Sequence, residues 1–147
     1  LSSFQLEKSR VAIVKNYNNH QKLGFGSQNH IEQVILNLVL NSIDAIDERK
    51  LENPNLNGEL IIGLNFENDH YILEISDNGI GIAEENLKAI FDPFFTLKKI
   101  KQGTGLGLSV CYNIIEQHGG SIDAQINSMG GLTFKVYLPT KKEVIYE

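Results

Sequence analysis

Four polar side chains recur on one side of a strongly apolar segment in the first third of the chain. They are Asn37, Asn41, Asp44 and Glu48. In a helix that turns by about 100° per residue, these positions share one narrow stripe. Most of the remaining residues from Ile31 to Ile46 are aliphatic, so the segment predicts a largely buried helix. A polar stripe on such a helix must face something that offsets the burial of amides and a carboxylate. A solvated helix edge is the alternative.

A second polar group ends a predicted strand, where Tyr71–Ser76 is followed by Asp77-Asn78-Gly79-Ile80-Gly81. Alternation places the Asp77 carboxylate on the same face as the strand's apolar side chains. A carboxylate there needs a hydrogen-bond donor, such as the exocyclic amine of a base. Gly79 and Gly81 would allow the backbone to approach a flat ligand closely. Taken alone, the pattern is explained equally well by a tight turn.

A third feature is the glycine-rich segment Gly103-Thr104-Gly105-Leu106-Gly107, which opens a predicted helix. Free backbone N–H groups at a helix start can bind phosphates. The segment lacks the Gly-Lys-Ser/Thr of a Walker A loop, and its spacing differs from that of a dinucleotide-binding fingerprint. The preceding loop, residues 91–104, contains aromatic residues and three lysines. It predicts a hinged lid with cations for phosphate, or alternatively an ordinary loop with solvated lysines.

The elements that would position these groups alternate between strand and helix patterns. Strands are predicted at 11–17, 21–26, 59–66, 71–76, 121–127 and 131–138, and helices at 27–50, 83–91 and 105–118. Asn68-Asp69 lies between two strands and predicts a hairpin turn. Runs of strands with helices between them indicate an α/β sandwich with mixed strand pairing.

Length and composition limit the remaining possibilities. A chain of 147 residues corresponds to one ordinary domain. Thirteen Lys and Arg against eighteen Asp and Glu give a net charge of −5, which argues against nucleic-acid binding. A single cysteine, Cys111, excludes an internal disulfide and fits a reducing compartment. No apolar run is as long as a membrane span, and the first residue is Leu1. We therefore expect a cytoplasmic domain that is a piece of a longer protein.

Four segments in order resemble the motifs of the catalytic ATP-binding domain of sensor histidine kinases, in the superfamily of gyrase, heat-shock chaperone and mismatch-repair ATPases. ILNLVLNSIDAI (35–46) resembles the N box, DNGIGI (77–82) the G1 box, FDPFFTLKK (91–99) the F box and GTGLGLSV (103–110) the G2 box. The similarity continues to about residue 139 and looks most like the nitrogen-regulator subgroup. It implies an α+β fold, a two-layer α/β sandwich whose mixed sheet is covered by helices on one face (the Bergerat ATP-binding fold). The corresponding domain would span 10–140, between an upstream linker at 1–9 and a tail at 141–147.

The resemblance also implies roles for individual residues. Asn41 would coordinate the Mg²⁺ that bridges the phosphates of ATP, and Asp77 would accept the adenine amine. Lys98 would be the lid cation. The remaining implied ATP-binding positions are Gly79, Gly81, Ile82, Gly103, Thr104, Gly105, Leu106, Gly107, Leu108 and Thr133. Alternation along the last strand sets Thr133 opposite Leu132 and Phe134.

Asn37 discriminates among the activities of the superfamily. In hydrolysing relatives and in anti-sigma serine kinases, a glutamate at this position acts as the general base. With an amide at Asn37, activation of water or of a serine should be poor. Histidine needs no such base within this domain, because its ring nitrogen is already nucleophilic. We therefore expect a protein-histidine kinase, with Asn37 and Lys98 nearest the chemistry. An ATP-hydrolysing or a nucleotide-sensing domain of the same superfamily is the alternative.

The resemblance implies partners that this chain does not supply. None of its four histidines, His20, His30, His70 and His118, is followed by the acidic residue that accompanies the family's phosphoacceptor. The acceptor is therefore expected on dimerisation helices upstream, with a response regulator as the next phosphate carrier. This domain alone is expected to be a monomer that binds ATP or ADP, and the full-length protein a homodimer. The parent protein could be a membrane-anchored sensor with this domain in the cytoplasm.

Overall fold

The computed structural model describes residues 11–17, 28–93, 95 and 107–140, and for 11–17 and Gln28 it describes the backbone alone. In chain order the elements are β1 (Val11–Tyr17), α1 (Gln28–Glu52), β2 (Gly58–Glu67), β3 (His70–Asp77), a 3₁₀ helix (Glu84–Ala89), α2 (Gly107–Gln117), β4 (Ser121–Ile126) and β5 (Leu132–Pro139). The strand predicted at 21–26 lies outside the described residues.

Within these residues, five strands form one sheet in the order β1-β2-β3-β5-β4. β1 runs parallel to β2, and the other neighbouring strands are antiparallel. A parallel pair needs a long crossover connection, and α1 lies within the connection between β1 and β2. The mixed pairing predicted from the sequence is confirmed.

The hairpin between β2 and β3 is confirmed at the predicted residues. Asn68 and Asp69 have φ angles of 53° and 64°. Left-handed backbone at both central residues is typical of a type I′ turn, whose twist matches that of the flanking strands. Asn and Asp tolerate this conformation better than other non-glycine residues do. The turn sets the register that pairs Glu67 with His70.

One face of the sheet carries the hydrophobic core. Ile75 of β3 lies directly opposite Phe134 of β5, and both are buried. Leu38 of α1 and Ile115 of α2 are fully buried in the same cluster. Each such aliphatic side chain stabilises the fold by roughly 1.5–3 kcal/mol. The two helices therefore form a single layer on the sheet, which confirms the two-layer sandwich.

The boundaries of all three helices differ from those predicted, α2 only in ending at Gln117 rather than His118. The segment predicted as a helix at 83–91 forms only a 3₁₀ helix at Glu84–Ala89. Ala83 provides no side-chain cap, and no residue of this helix is buried, so little packing favours a longer α-helix. α1 extends to Glu52 rather than Lys50. It ends at the residue before Asn53, whose helical conformation is disfavoured by Pro54.

Candidate functional site

The Asp77 carboxyl group lies at the end of β3, on the sheet face that the helices cover. The residue is 1% exposed. Its Oδ1 atom accepts two backbone hydrogen bonds, from the N–H of Gly79 at 2.8 Å and from that of Leu132 at 3.3 Å. Within the described residues, no protein group donates a hydrogen bond to Oδ2. The described residues therefore hold one oxygen of the carboxyl group and supply no donor to the other.

Close backbone approaches hold the loop after β3 in place. A Cβ atom at Gly79 would lie 2.5 Å from the carbonyl carbon of Ala45 in α1. A Cβ atom at Gly131 would collide with the main chain and carboxylate of Asp77. Gly81 has a φ angle of +71° and abuts the carbonyl oxygen of Gly130. We predicted that Gly79 and Gly81 admit a flat ligand. In the structure, their close approaches are to the protein's own backbone.

Ser42 is a site residue that the sequence analysis missed. Its hydroxyl group is completely buried and, within the described part of the chain, has no hydrogen-bond partner. It lies beside the Asp77 carboxyl group and favours its ionised form, although the two groups do not reach hydrogen-bond geometry. Its position directly after Asn41 was the only available signal. The Ser42 hydroxyl and the Asp77 carboxyl group therefore form a small polar cluster within an apolar core.

Asn37 and Asn41 lie one turn apart on α1, and both are half-buried. The Asn41 side-chain nitrogen donates to the Asn37 carbonyl oxygen at 3.3 Å. This assignment leaves the Asn41 side-chain oxygen without a partner among the described residues. The Asn37 side chain lies beside the thiol of Cys111. Burial raises the pKa of this thiol and Asn37 partly opposes the effect, so that the pKa is about 11. The thiol therefore stays protonated at neutral pH and is a poor nucleophile.

Thr133 has polar neighbours, whereas Ile82 packs against the hydrophobic core. Thr133 lies directly opposite Ser76, and their hydroxyl oxygens are 2.8 Å apart. Since Ser76 and Asp77 are consecutive in a strand, the Thr133 hydroxyl lies on the sheet face opposite the Asp77 carboxylate. Asn127 donates to the Thr133 hydroxyl at 3.2 Å and to the Asp77 carbonyl oxygen at 2.9 Å. Ile82 is half-buried against the core. Both residues' contacts with ATP stay predictions.

Only part of the predicted phosphate site falls within the described residues. Gly107 begins α2, and a Cβ atom there would meet nothing within 4 Å. Leu108 packs against the core. Lys98, Gly103, Thr104, Gly105 and Leu106 lie outside the described residues, as does most of the predicted lid. Their roles stay predictions.

Burial is the main cause of an unusual pKa at Asp77. Desolvation raises it above the ordinary value of 3.8, while hydrogen bonds from the Gly79 and Leu132 backbone oppose this effect, as does Ser42. Because the folded state holds the proton more tightly than the unfolded state, ionising Asp77 destabilises the fold. Stability from this group is therefore fully present below about pH 3.8 and declines as the pH rises through the raised pKa.

This linkage predicts the behaviour of Asp77→Asn without nucleotide. The amide can keep the two backbone hydrogen bonds and carries no charge. We expect the stability of the variant relative to wild type to increase between about pH 4 and pH 7. Denaturant unfolding across this range measures the difference. A wild type that instead gains stability relative to the variant with rising pH would show that hydrogen bonding outweighs desolvation at Asp77.

Comparison with known proteins assigns the family. The sequence model of one protein family, the histidine kinase-, DNA gyrase B- and HSP90-like ATPases, matches residues 26–142. Sensor kinase CckA from Brucella abortus is 41% identical to this chain over 74% of the chain and 12% of its own length. Sensor histidine kinase ZraS from Escherichia coli is 40% identical over 74% of the chain and 21% of its own length.

Solved structures agree with this assignment. The catalytic domain of histidine kinase ThkA superposes with a TM-score of 0.77 at 32% identity, covering 93% of this chain and 84% of that one. The chain therefore belongs to the family of histidine kinase-, DNA gyrase B- and HSP90-like ATPases, and within it to the catalytic ATP-binding domains of sensor histidine kinases. It spans between 12% and 21% of the length of the two curated relatives. Among the helices that the structure describes, none has the length and apolar character needed to cross a membrane.

Proposed function

We propose that this chain binds Mg²⁺–ATP and transfers the γ-phosphate to a histidine on dimerisation helices outside the chain. The observation that carries the proposal is the difference between the two carboxylate oxygens of Asp77. Oδ1 is held by two backbone N–H groups, and Oδ2 is available for the adenine amine. An ionised carboxylate is an acceptor only, so the site favours a base with a donor at this position.

The residues present fit a magnesium ion next to the phosphates. The Asn41 side-chain oxygen has no partner within the described residues, because its nitrogen donates to Asn37. Mg²⁺ prefers oxygen ligands and usually keeps several waters together with phosphate oxygens. A single amide ligand is therefore sufficient from the protein. When bound, the ion would neutralise charge on the phosphates. Asn41 would fix the position of the ion relative to α1.

The side chains around Asn37 favour transfer over hydrolysis. An amide cannot act as a general base for water. The neighbouring Cys111 thiol, with its pKa of about 11, offers no alternative base. The described histidines have local contacts. His118 lies 2.7 Å from the Ile114 carbonyl oxygen, His70 lies 2.9 Å from that of Asn68, and the His30 ring contacts the His118 ring. An external histidine is the acceptor that this arrangement suits.

The relatives support a wider set of partners. A structure similar to this chain, with a TM-score of 0.72 and 28% identity, is that of ThkA in complex with the response regulator TrrA. By analogy, we propose a response regulator as the final phosphate acceptor here. We also propose a homodimeric full-length protein, a monomeric isolated domain spanning 10–140, a cytoplasmic location and membership of the nitrogen-regulator subgroup.

Titration calorimetry with nucleotide tests the binding step. With few polar contacts to the base, we expect the wild-type chain to bind ATP with a Kd between roughly 1 μM and 1 mM, and more tightly with Mg²⁺ than without it. GTP is the control, because it presents a carbonyl oxygen where adenine presents an amine. Equal affinity for GTP and ATP, or undetectable binding of ATP at millimolar concentration, would contradict the proposal.

A further inference from the structure

Arg49, near the end of α1, joins two segments that are distant in sequence. Its Nη1 atom lies 2.9 Å from the carbonyl oxygen of Asn78, 3.1 Å from that of Met129 and 3.4 Å from that of Gly79. Nη1 carries two hydrogens, so the two shorter contacts are the principal hydrogen bonds. The guanidinium group thereby connects the loop after β3 to the turn between β4 and β5.

These two segments are also the ones that hold the Asp77 carboxylate. The loop after β3 contains Gly79, whose N–H donates to Oδ1, and the β4–β5 turn leads into Leu132, which donates to the same oxygen. The turn itself packs on Arg49, since a Cβ atom at Gly130 would lie 3.6 Å from Nη1. The two segments also contact each other directly, through Asn127 and through Gly81 against Gly130, and Arg49 adds a connection from α1 to both of them.

We propose that Arg49 is a positioning residue for base recognition, which clamps together the two segments whose N–H groups orient Asp77. The inference rests on the proposed function, because it assumes that Oδ2 accepts the adenine amine. Arginine suits this task, since its planar group offers several donors in a fixed geometry. Both principal hydrogen bonds come from Nη1, whose two hydrogens lie in the fixed plane of the guanidinium group, whereas the hydrogens of a lysine ammonium group rotate freely.

A purely structural role for Arg49 predicts a different result. In that case its loss would lower the stability of the domain and leave nucleotide selectivity unchanged while the protein remains folded. A positioning role predicts a selective loss of the hydrogen bond at the adenine amine. Inosine triphosphate, ITP, separates the two, because it carries a carbonyl oxygen in place of this amine, with a proton on the adjacent N1, and has the same sugar and triphosphate.

The test measures ATP and ITP affinities by calorimetry for the wild type, Arg49→Met and Arg49→Lys, at a temperature where circular dichroism shows each to be folded. The matched control is Lys50→Met, which removes the same charge from the neighbouring position. We expect the wild type and the control to prefer ATP at least roughly tenfold. Arg49→Met should lose about tenfold in ATP affinity and less than about twofold in ITP affinity. The ATP-to-ITP affinity ratio of Arg49→Lys should lie between those of the wild type and Arg49→Met.

An ATP-to-ITP ratio unchanged in both Arg49 variants would overturn the positioning role alone. If Arg49→Met does not fold, Arg49→Lys decides the question, and a wild-type ratio in that variant overturns the role. A wild type without preference for ATP would overturn the adenine assignment and this inference with it.

Discussion

Asp77→Asn should abolish most of the ATP affinity of this domain. Oδ1 faces two N–H donors, from Gly79 and Leu132, so the oxygen of the new amide must stay there. Its NH₂ group is then forced into the position of Oδ2, where it would face the donor amine of adenine. Loss of a hydrogen bond to a charged group costs about 1.5–3 kcal/mol, or about 10- to 150-fold in Kd measured by calorimetry.

The same geometry predicts a change of selectivity. An NH₂ group at the Oδ2 position matches the oxygen that ITP carries in place of the amine, so Asp77→Asn should bind ITP at least as tightly as ATP. Asp123→Asn, at an exposed position in β4, is the matched control and should bind ATP like the wild type. Undiminished ATP binding by Asp77→Asn would show that the carboxylate does not contact the base.

The second large effect concerns phosphoryl transfer. Incubated alone with γ-labelled ATP and Mg²⁺, this chain should not label itself, because none of its histidines has the acidic neighbour of the family's phosphoacceptor. Mixed with a dimeric helical fragment that carries the acceptor of the full-length protein, it should label that fragment on histidine. The reaction should be slow, since the effective concentration provided by the covalent link is lost. The label should be acid-labile, as expected of a phosphoramidate.

Asn41→Ala tests whether the proposed metal ligand takes part. Asn41 makes one described side-chain hydrogen bond, to the Asn37 carbonyl oxygen, so its removal should affect labelling far more than stability. We expect the labelling rate to fall at least about tenfold. Asn113→Ala, at an exposed position of α2, is the control and should label normally. Acid-stable phosphate on serine or threonine, or rapid hydrolysis of ATP by the chain alone, would contradict the histidine-kinase proposal.

Several features could be predicted from local periodicity alone. A period of two along β3 placed Asp77 on the buried face of the sheet, and the helical period placed Asn37 and Asn41 one turn apart. The Asn68-Asp69 turn followed from the backbone preferences of two residues. The weak capping and packing of Glu84–Ala89 were not evident from its pattern, so the predicted short helix at 83–91 proved to be a shorter 3₁₀ helix.

The contacts that hold and surround Asp77 depend on segments that are far apart in the sequence. Leu132 reaches Oδ1 from 55 positions along the chain, and Arg49 reaches Met129 across 80. Ser42 appeared in the sequence as one more residue of an apolar helix, and only packing placed its hydroxyl beside the carboxylate. Such contacts carry no periodic signal, because they depend on where separate elements meet. The sequence therefore placed a carboxylate on the buried face of the sheet, and the fold decided which of its two oxygens the backbone N–H groups hold.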